Sequence, residues 1–442
     1  MTGRYQEYSE YKNSKLEWLG SIPQDWEIRY SKWLFSERNT KATKSDEMLT
    51  ASQKYGVIPQ KEFMRLEQQK VVQVQTGHEI LKSVKKNDFV ISMRSFQGGI
   101  EFCGYDGSVS SAYVPLIPSD EVNLGYFKYL FKSKQYIQAL QSTTNLVRDG
   151  QALRYSNFVQ VKLPLPEKTE QASIANFLDH ETAKIDTLIS KQKKLLGLLK
   201  EKRQAVISQA VTKGLNPDAE MKDSGVEHLG DVPKHWNTGQ LKYLLTLNPK
   251  KSQVANKKEK LCNFIPMDKL KRDSLKLDEI VTVENVFDGY TYFENEDILM
   301  AKVTPCFENQ NMVVARNLEN GLGFGSSEIY VLRTKPHILN DYLYYRLQED
   351  KFMQLATGAM TGAGGLKRVP SEFLLTFSIA FPDIEEQKRI IESIQVKLLT
   401  IDQLIDKALK AVSLMEERKT ALISAAVTGK IDVRNFKEEV NE

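Results

Sequence analysis

The chain has 442 residues, of which 27% are charged and 41% are hydrophobic. This length and composition predict two or three packed domains, and they exclude a disordered tail or a fibrous repeat. The formal net charge is only +4, so total charge alone does not indicate a polyanionic partner.

Cysteine usage and hydropathy indicate a cytoplasmic protein. Cys103, Cys262 and Cys306 lie far apart without a CxxC pair, which favours neither a zinc site nor a disulfide framework. Residues 1–10 lack an apolar signal core, and the longest apolar stretch, residues 374–381, is shorter than the about 20 residues that a bilayer requires. We therefore expect no membrane span and no export by a conventional signal.

The sequence contains an internal duplication. Residues 12–26, KNSKLEWLGSIPQDW, return 210 positions later as residues 222–236, KDSGVEHLGDVPKHW. A second match pairs residues 166–212 with residues 382–428 at an offset of 216, without a gap. The halves diverge between these matches, which predicts two variable globules, each followed by a fixed block.

The variable blocks combine short β-rich runs with Gly and Asn turns, a pattern typical of mixed α/β globules. The runs at residues 89–93, 113–117, 328–332 and 373–377 are predicted to be strands.

The fixed blocks are predicted to be long helices. Apolar residues step by three and four through residues 181–212 and again through residues 401–426, which marks one face of a helix. The first block would form a rod of about 48 Å at 1.5 Å per residue. Asp383 and Glu386 have the spacing of a capping box that opens the second block.

Both apolar faces are interrupted at the same register, by Lys202 and Arg418. An apolar face alone also fits the core of an ordinary helical bundle. Two rods of equal length separated by a globule most easily pair with each other, however. We therefore predict an α+β fold: two mixed α/β globules in tandem, separated and joined by two long helices that form an antiparallel, pseudo-twofold coiled coil.

The sequence shows no catalytic or metal-binding motif. The histidines lack HExxH spacing, and neither GxGxxG nor GxxxxGK[ST] is present. No Pro-Pro step occurs, although amino-methyltransferases carry an Asn- or Asp-Pro-Pro-aromatic motif, so the chain is not expected to methylate alone. Carboxylate-x-Lys pieces at residues 220–222 and 417–419 are interpreted as chance charges.

Flexible or basic segments provide candidates for phosphate contact. The glycine-rich residues 357–368 and their ragged counterpart at residues 143–154 both end in cations, as phosphate-approaching loops do. Residues 250–272 hold eight Lys or Arg, and Arg94 follows a predicted strand and precedes a Gly pair. Solvated surface loops and a structural salt bridge remain the alternative interpretations.

The tandem Glu-x-Leu-Gly-x-[Ile/Val]-Pro-x-x-Trp boxes, the Pro-x-x-x-Glu-Gln openings and the Ala-Val-Thr helix ends resemble the specificity subunit of Type I restriction-modification enzymes. The resemblance covers nearly the whole chain. One departure is that the family often has a proline pair before Leu-x-Glu-Gln, whereas Pro164 and Pro166 are split here and the second copy has only Pro382.

The resemblance implies two inverted target-recognition domains joined by conserved helical spacers, each domain reading one half of a bipartite, asymmetric duplex DNA site. It implies a non-catalytic subunit that directs two adenine-N6 methyltransferase subunits and ATP-dependent restriction (translocase) subunits. This chain is expected to bind no cofactor, whereas S-adenosylmethionine, ATP and Mg²⁺ belong to the partner subunits.

The domain boundaries that follow are 1–166 for the first recognition domain, 167–214 for the central spacer, 215–382 for the second recognition domain, 383–432 for the C-terminal spacer and 433–442 for a tail. The spacers would set the gap between the half-sites, so a longer rod is expected to lengthen that gap.

The candidate residues have two predicted roles. The DNA-binding candidates are Arg94, Arg148, Arg154, Lys250, Lys251, Lys302, Lys367 and Arg368. The partner-binding candidates on the helices are Glu170, Gln171, Ile185, Leu188, Glu386, Gln387, Ile401 and Leu404. Two other functions stay open at this point: a coiled-coil protein-binding scaffold without DNA readout, and an unrecognised nuclease.

Overall fold

The computed structural model describes residues 5–68, 80–144 and 153–436. Its contacts divide the chain into two compact units. Unit 1 comprises Met1–Lys193 and Lys410–Glu442, and unit 2 comprises Lys194–Leu409.

Unit 1 is built mainly from short strands. These are β1 (Tyr11–Asn13), β2 (Ser21–Pro23), β3 (Glu27–Tyr30), β4 (Phe35–Glu37), β5 (Leu49–Ser52), β6 (Gly56–Pro59), β7 (Lys82–Val84), β8 (Phe89–Ile91), β9 (Glu101–Phe102), β10 (Gly107–Val109), β11 (Val114–Pro118) and β12 (Lys162–Leu165). Its short helices are α1 (Ser31–Leu34), α2 (Gln60–Glu67), α3 (Ser95–Gly98), α4 (Leu124–Leu130), α5 (Lys134–Gln141) and α6 (Tyr155–Phe158). The long helix α7 (Lys168–Lys213) begins in unit 1 and ends in unit 2.

The main sheet of unit 1 has the order β4-β11-β8-β9, with antiparallel pairing throughout. A smaller antiparallel pair, β3 with β12, leads directly into α7. Aromatic side chains fill the core beside this sheet: Trp26, Phe35, Phe89, Phe127 and Phe131 are all buried. Rings of this size bury large apolar areas, so they dominate the stability of the unit.

Unit 2 repeats this plan with additional strands. Its strands are β13 (Met221–Asp223), β14 (Asp231–Pro233), β15 (Asn237–Gln240), β16 (Leu245–Leu247), β17 (Leu261–Ile265), β18 (Leu270–Lys271), β19 (Ser274–Leu275), β20 (Ile280–Thr282), β21 (Thr291–Glu294), β22 (Ile298–Ala301), β23 (Met312–Val314), β24 (Leu322–Gly325), β25 (Ile329–Thr334), β26 (Thr361–Ala363), β27 (Leu366–Arg368) and β28 (Ser378–Phe381). Its helices are α8 (Leu241–Leu244), α9 (Val283–Val286), α10 (Asn340–Arg346), α11 (Asp350–Gly358), α12 (Ser371–Thr376) and the long α13 (Ile384–Val427), whose C-terminal part belongs to unit 1.

The sheet β16-β25-β22-β23 of unit 2 has the same order and directions as the main sheet of unit 1, and β15 pairs with β28 as β3 pairs with β12. A second sheet, β20-β17-β24-β21, forms around two further apolar clusters. The divergence of the two halves therefore includes an added sheet in unit 2.

Each unit contains a pair of antiparallel helix segments. In unit 1, Lys193 of α7 pairs with Glu416 of α13, and Asp186 pairs with Lys419. Residue numbers therefore rise along one helix as they fall along the other. In unit 2, Arg203 of α7 pairs with Asp402 of α13, and Gly214 lies beside Glu386. The apolar faces of these segments enter the cores, because Leu422 and Ala426 pack in unit 1 and Ile207 and Ile394 pack in unit 2.

The predicted fold class is confirmed, with three corrections of detail. The helices have 46 and 44 residues and begin earlier than the periodicity indicated, so α7 measures about 69 Å rather than about 48 Å. Residues 371–376 form helix α12 instead of the predicted strand at residues 373–377, since Phe373 and Phe377 stack on one helical side around buried Leu374.

The third correction concerns the charged register of the helices. Lys202 and Arg418 are exposed, and the next residues, Arg203 and Lys419, make the interhelical ion pairs. Lys202 and Arg418 interrupt the apolar sequence pattern as predicted, but their side chains face solvent rather than a buried helix face. The predicted domain boundaries stay predictions, since the units divide both long helices.

Candidate nucleic-acid interface

An exposed β-hairpin in unit 2 carries two of the predicted DNA-binding residues, Lys367 and Arg368. Strands β26 and β27 pair antiparallel between Thr361 and Arg368, and all their residues are exposed. Gly362 has φ +149°, and a Cβ there would lie 2.2 Å from the carbonyl oxygen of Leu366, so the tight hairpin requires glycine. A two-stranded ribbon of this kind has the width that the major groove of B-DNA admits.

The structure brings three predicted DNA-binding residues together at this hairpin. The amide of Thr304 donates to the carbonyl of Lys367 (2.9 Å), and the amide of Val369 donates to the carbonyl of Lys302 (2.9 Å). The Lys302 ammonium lies 5.1 Å from the ring centre of Tyr330, a cation–π distance. Lys302, Lys367 and Arg368 thus form one cationic surface, the hairpin surface.

Glu328 orients Arg368 within the hairpin surface. The Arg368 guanidinium donates from Nη2 and Nε to the two carboxylate oxygens, at 2.8 and 2.9 Å. These bonds hold the pKa of Glu328 below its usual value. Because a planar guanidinium fixed in this way keeps its direction, Arg368 is pre-oriented for contact with a base edge or phosphate. The role of Glu328 could not be predicted from the sequence, because no local pattern links residues forty positions apart.

In unit 1 the predicted cations lie on separate elements. Arg94 is exposed and immediately precedes α3, where its amide donates to the hydroxyl of Ser92 (3.3 Å). Arg154 is exposed at the start of α6, and its amide donates to the side chain of Asn157 (3.0 Å). Arg148 lies outside the described residues.

Lys250 and Lys251 have different environments. Lys250 is exposed directly before the 3₁₀ helix Lys251–Val254. The ammonium of Lys251 donates to the carbonyls of Phe287 (2.7 Å) and Tyr290 (3.4 Å), so it serves the packing of unit 2. Of this pair, only Lys250 has its ammonium available at the surface.

The duplicated Glu-Gln pairs, predicted to bind partners, lie inside the units. In unit 1 the carboxylate of Glu170 accepts bonds from Trp26 Nε1 (2.9 Å) and the Tyr8 hydroxyl (2.7 Å). In unit 2 the carboxylate of Glu386 accepts from Trp236 Nε1 (3.2 Å) and His235 Nε2 (2.7 Å). In each unit, therefore, the tryptophan of the repeated box bonds to the glutamate of the repeated helix opening.

The two glutamines repeat the same bonding pattern. Gln171 donates to the carbonyls of Pro166 and Glu121 and accepts from the amide of Asn123 (2.8 Å). Gln387 donates to the carbonyls of Pro382 and His337 and accepts from the amide of Leu339 (2.8 Å). Both glutamines are almost fully buried, so they close the junction between helix and globule. The recurrence of Glu-Gln at the offset of 216 that aligns the two long helices was the available signal for this role.

The other predicted partner-binding residues divide by exposure. Ile185 and Ile401 are buried, each 5% exposed, whereas Leu188 and Leu404 are 47% and 45% exposed. Leu188 belongs to unit 1 and borders a cavity of about 480 Å³ with His180, Ala183, Lys184 and Thr187. Leu404 occupies the corresponding position on α13 in unit 2, where Leu399 is also exposed. Of these four predicted partner-binding residues, only Leu188 and Leu404 are accessible to a partner.

Within the described ranges, no group of three or more His, Cys, Asp or Glu residues could hold a metal ion. In the same part of the chain, no helix is long and apolar enough to cross a membrane.

The protein is of the class that has two related mixed α/β globules and two long helices. One globule also carries an exposed cationic ribbon. The family model described as the Type I restriction modification DNA specificity domain matches residues 23–196 and 233–411. These two matches cover more than half of the chain. The chain belongs to the Type I restriction-modification DNA specificity family, as the motifs predicted.

Relatives and solved structures agree with this assignment. The specificity subunit of the Type I restriction enzyme EcoAI from Escherichia coli is 32% identical over 232 residues, which are 52% of this chain and 39% of that protein. The MjaVIII specificity subunit from Methanocaldococcus jannaschii is 25% identical, and the match covers 82% of both chains. A chain from a structure that describes complex assembly and conformational transition of the type I R-M system is 12% identical, with a TM-score of 0.66, and covers 92% of this chain and 98% of that one. The last similarity shows a common fold.

Proposed function

We propose that this chain is the DNA-recognition subunit of a Type I restriction-modification complex and reads a bipartite, asymmetric duplex site, one half with each unit. The observation that carries this proposal is the presence of two family matches in one chain, each covering one globule. Two recognition units in one chain support a split site, and their divergence supports an asymmetric one.

The hairpin surface is proposed to read bases in the half-site of unit 2. Lys302, Lys367 and Arg368 present donors for guanine O6 and N7, the commonest specific contact in the major groove. In unit 1, Arg94 and Arg154 are the corresponding candidates among the described residues. Each well-formed bidentate contact contributes about 1–3 kcal/mol of discrimination against the wrong base.

The exposed leucines are proposed to dock two methyltransferase subunits. Leu188 and Leu404 occupy equivalent positions on the two long helices, and their exposure is nearly equal. Equivalent apolar positions support two copies of one partner. That partner would carry S-adenosylmethionine and methylate adenine N6, and ATP-dependent restriction subunits with ATP and Mg²⁺ would join the complex. In this proposal the chain itself has no catalytic role.

The test is single-molecule sequencing of genomic DNA from a methylation-free host that expresses this chain with its neighbouring methyltransferase gene. We expect methylated adenines in one split, asymmetric motif, and no motif in the control strain that expresses the methyltransferase alone. Absence of a motif despite a soluble complex of the two proteins would favour a protein-binding scaffold. Metal-dependent cleavage of plasmid DNA by the isolated chain would instead indicate a nuclease.

A further inference from the structure

The two most exposed aromatic side chains of the described residues occupy the same place in the two copies. Trp33 on α1 is 57% exposed, and Tyr243 on α8 is 66% exposed. The two positions correspond at the offset of 210 that aligns the tryptophan boxes. Large exposed rings are costly to leave in water, so their recurrence in otherwise divergent globules indicates a common contact.

Lysines accompany both rings. Lys32 and Lys242 precede the rings in the sequence, and the Lys242 ammonium lies 4.9 Å from the centre of the Tyr243 ring. These two segments, Lys32-Trp33 and Lys242-Tyr243, are called the aromatic–lysine turns.

A second lysine reaches each turn from an element that is not equivalent in the two copies. In unit 1, Lys162 of β12 lies 4.5 Å from the ring centre of Tyr30, which packs edge-on against Trp33 at 4.8 Å. In unit 2, Lys335 follows β25 and donates to the carbonyl of Lys242 (3.2 Å). Within the part of the chain that the structure describes, these lysines form no ion pair with a carboxylate. Each turn therefore carries two uncompensated positive charges beside an exposed ring.

Short connections join both turns to the segments proposed to read bases. In unit 1 the hydroxyl of Tyr155, the residue after Arg154, donates to the carbonyl of Phe35 at the end of α1 (3.0 Å). In unit 2, α12 begins three residues after Arg368, and the carbonyl of Phe377 at its end accepts from the amide of Leu241 at the start of α8 (2.9 Å).

A feature kept in both halves must contact something that is the same in both. Base-reading side chains differ when half-sites differ, whereas the sugar–phosphate backbone is the same for every sequence. A protein partner present twice would also be the same, but lysine is depleted in protein interfaces, and paired unneutralised lysines suit phosphates. We infer that the aromatic–lysine turns grip the backbone of duplex DNA, one turn for each half-site, and contribute affinity without sequence preference. This inference rests on the proposed function.

The test measures the salt dependence of DNA binding by the complex of the full chain with its methyltransferase subunits. Two duplexes are compared: one contains the sequence motif identified by methylome sequencing, and the other lacks it. The variants are the double substitutions Lys32→Ala with Lys162→Ala and Lys242→Ala with Lys335→Ala. The slope of log affinity against log salt is negative, and each pair of substitutions should make it shallower by about 1.8. Each phosphate contact contributes about 0.9 to the magnitude of this slope. The loss should be equal on both duplexes and the motif unchanged. Lys61→Ala, on α2, is the control and should leave the slope unchanged.

The rings provide a second measurement. Trp33→Ala and Tyr243→Ala should each weaken binding about two- to fivefold on both duplexes, the value of a cation–aromatic contact at an exposed site. Replacing Lys32 or Lys242 by arginine should keep the wild-type slope, because the charge remains.

Several results would overturn the inference. It fails if the wild-type complex binds DNA and the lysine variants retain its salt slope. It also fails if the variants lose the methyltransferase subunits in size-exclusion chromatography while the slope is unchanged, which would make the turns a protein-docking surface. A wild-type complex that binds neither duplex overturns the proposed function together with this inference.

Discussion

Replacing Trp26 by alanine removes the largest buried side chain of unit 1 and a hydrogen-bond donor to a buried carboxylate. Trp26 is 0% exposed, and its Nε1 donates to Glu170, itself 8% exposed, at 2.9 Å. Loss of a buried ring of this size costs about 3–5 kcal/mol. The carboxylate keeps its bond from Tyr8 but loses one donor, which adds about 1–3 kcal/mol.

The expected destabilisation of unit 1 is therefore about 4–8 kcal/mol, the sum of the two effects. Because the chain has two units, hydrogen exchange followed by mass spectrometry on unit 1 and unit 2 peptides is the suitable assay, supported by urea unfolding monitored by circular dichroism. Fast exchange should appear in the peptides of β3, β12 and the start of α7. Trp33→Ala is the matched control, since that ring is 57% exposed and its loss should change stability by no more than about 0.5 kcal/mol.

Trp26→Phe and Trp236→Ala separate the two effects. The phenylalanine keeps most of the packing and removes the donor, so it should cost about 1–3 kcal/mol. Trp236 bonds to Glu386 at 3.2 Å, and that carboxylate is more exposed than Glu170, so Trp236→Ala should destabilise unit 2 less than Trp26→Ala destabilises unit 1. Unaltered exchange and an unaltered urea midpoint for Trp26→Ala would refute the packing argument.

Three further predictions follow from the helices, the hairpin surface and the cysteines. Matched four-residue insertions after Leu196 and Val412 lengthen both long helices by about 6 Å, so methylome sequencing should show a longer gap between unchanged half-sites; an unchanged gap with activity retained would contradict a spacer role. Lys367→Ala should relax one base position in only one half-site, with a loss of about 1–3 kcal/mol in affinity for that base, measured by competition binding; a uniform loss on all sequences would show a phosphate contact instead. Cys103 should react with iodoacetamide at pH 8 far more slowly than Cys306, because burial raises its pKa from 9.0 to about 11, and equal rates would be contrary to this expectation. The raised pKa means that the folded state holds the thiol proton more tightly, so this contribution to stability is present below about pH 9 and is lost as pH rises toward 11.

The long helices and the duplication could be predicted because both are properties of sequence alone. A period of three to four residues identifies a helical face, and an ungapped match identifies a repeat. The apolar periodicity marks α7 only from residue 181, although the helix begins at Lys168, since the buried polar residues Glu181 and Thr182 interrupt the apolar face that begins at Ile174. Tertiary packing decides such positions.

The candidate site was only partly predictable for the same reason. Lys302 and Lys367 meet at the hairpin surface because the residues that follow β22 pair with β27, a proximity that no local pattern encodes. The strand prediction at residues 373–377 was wrong because the apolar residues there pack on one side of helix α12, against α8. Aligning the two boxes places Trp33 and Tyr243 at the same position, but only the fold shows that both rings are exposed.

The make-up of unit 1 imposes an order on folding during synthesis. Its core needs Leu422 and Ala426 from the end of α13, and the amide of Asp432 donates to the carbonyl of Gln6 (2.8 Å). Unit 2, Lys194–Leu409, is a continuous stretch that leaves the ribosome before those residues. The half of the protein that is translated first is therefore completed last, and until then its apolar surface is exposed to chaperones and proteases.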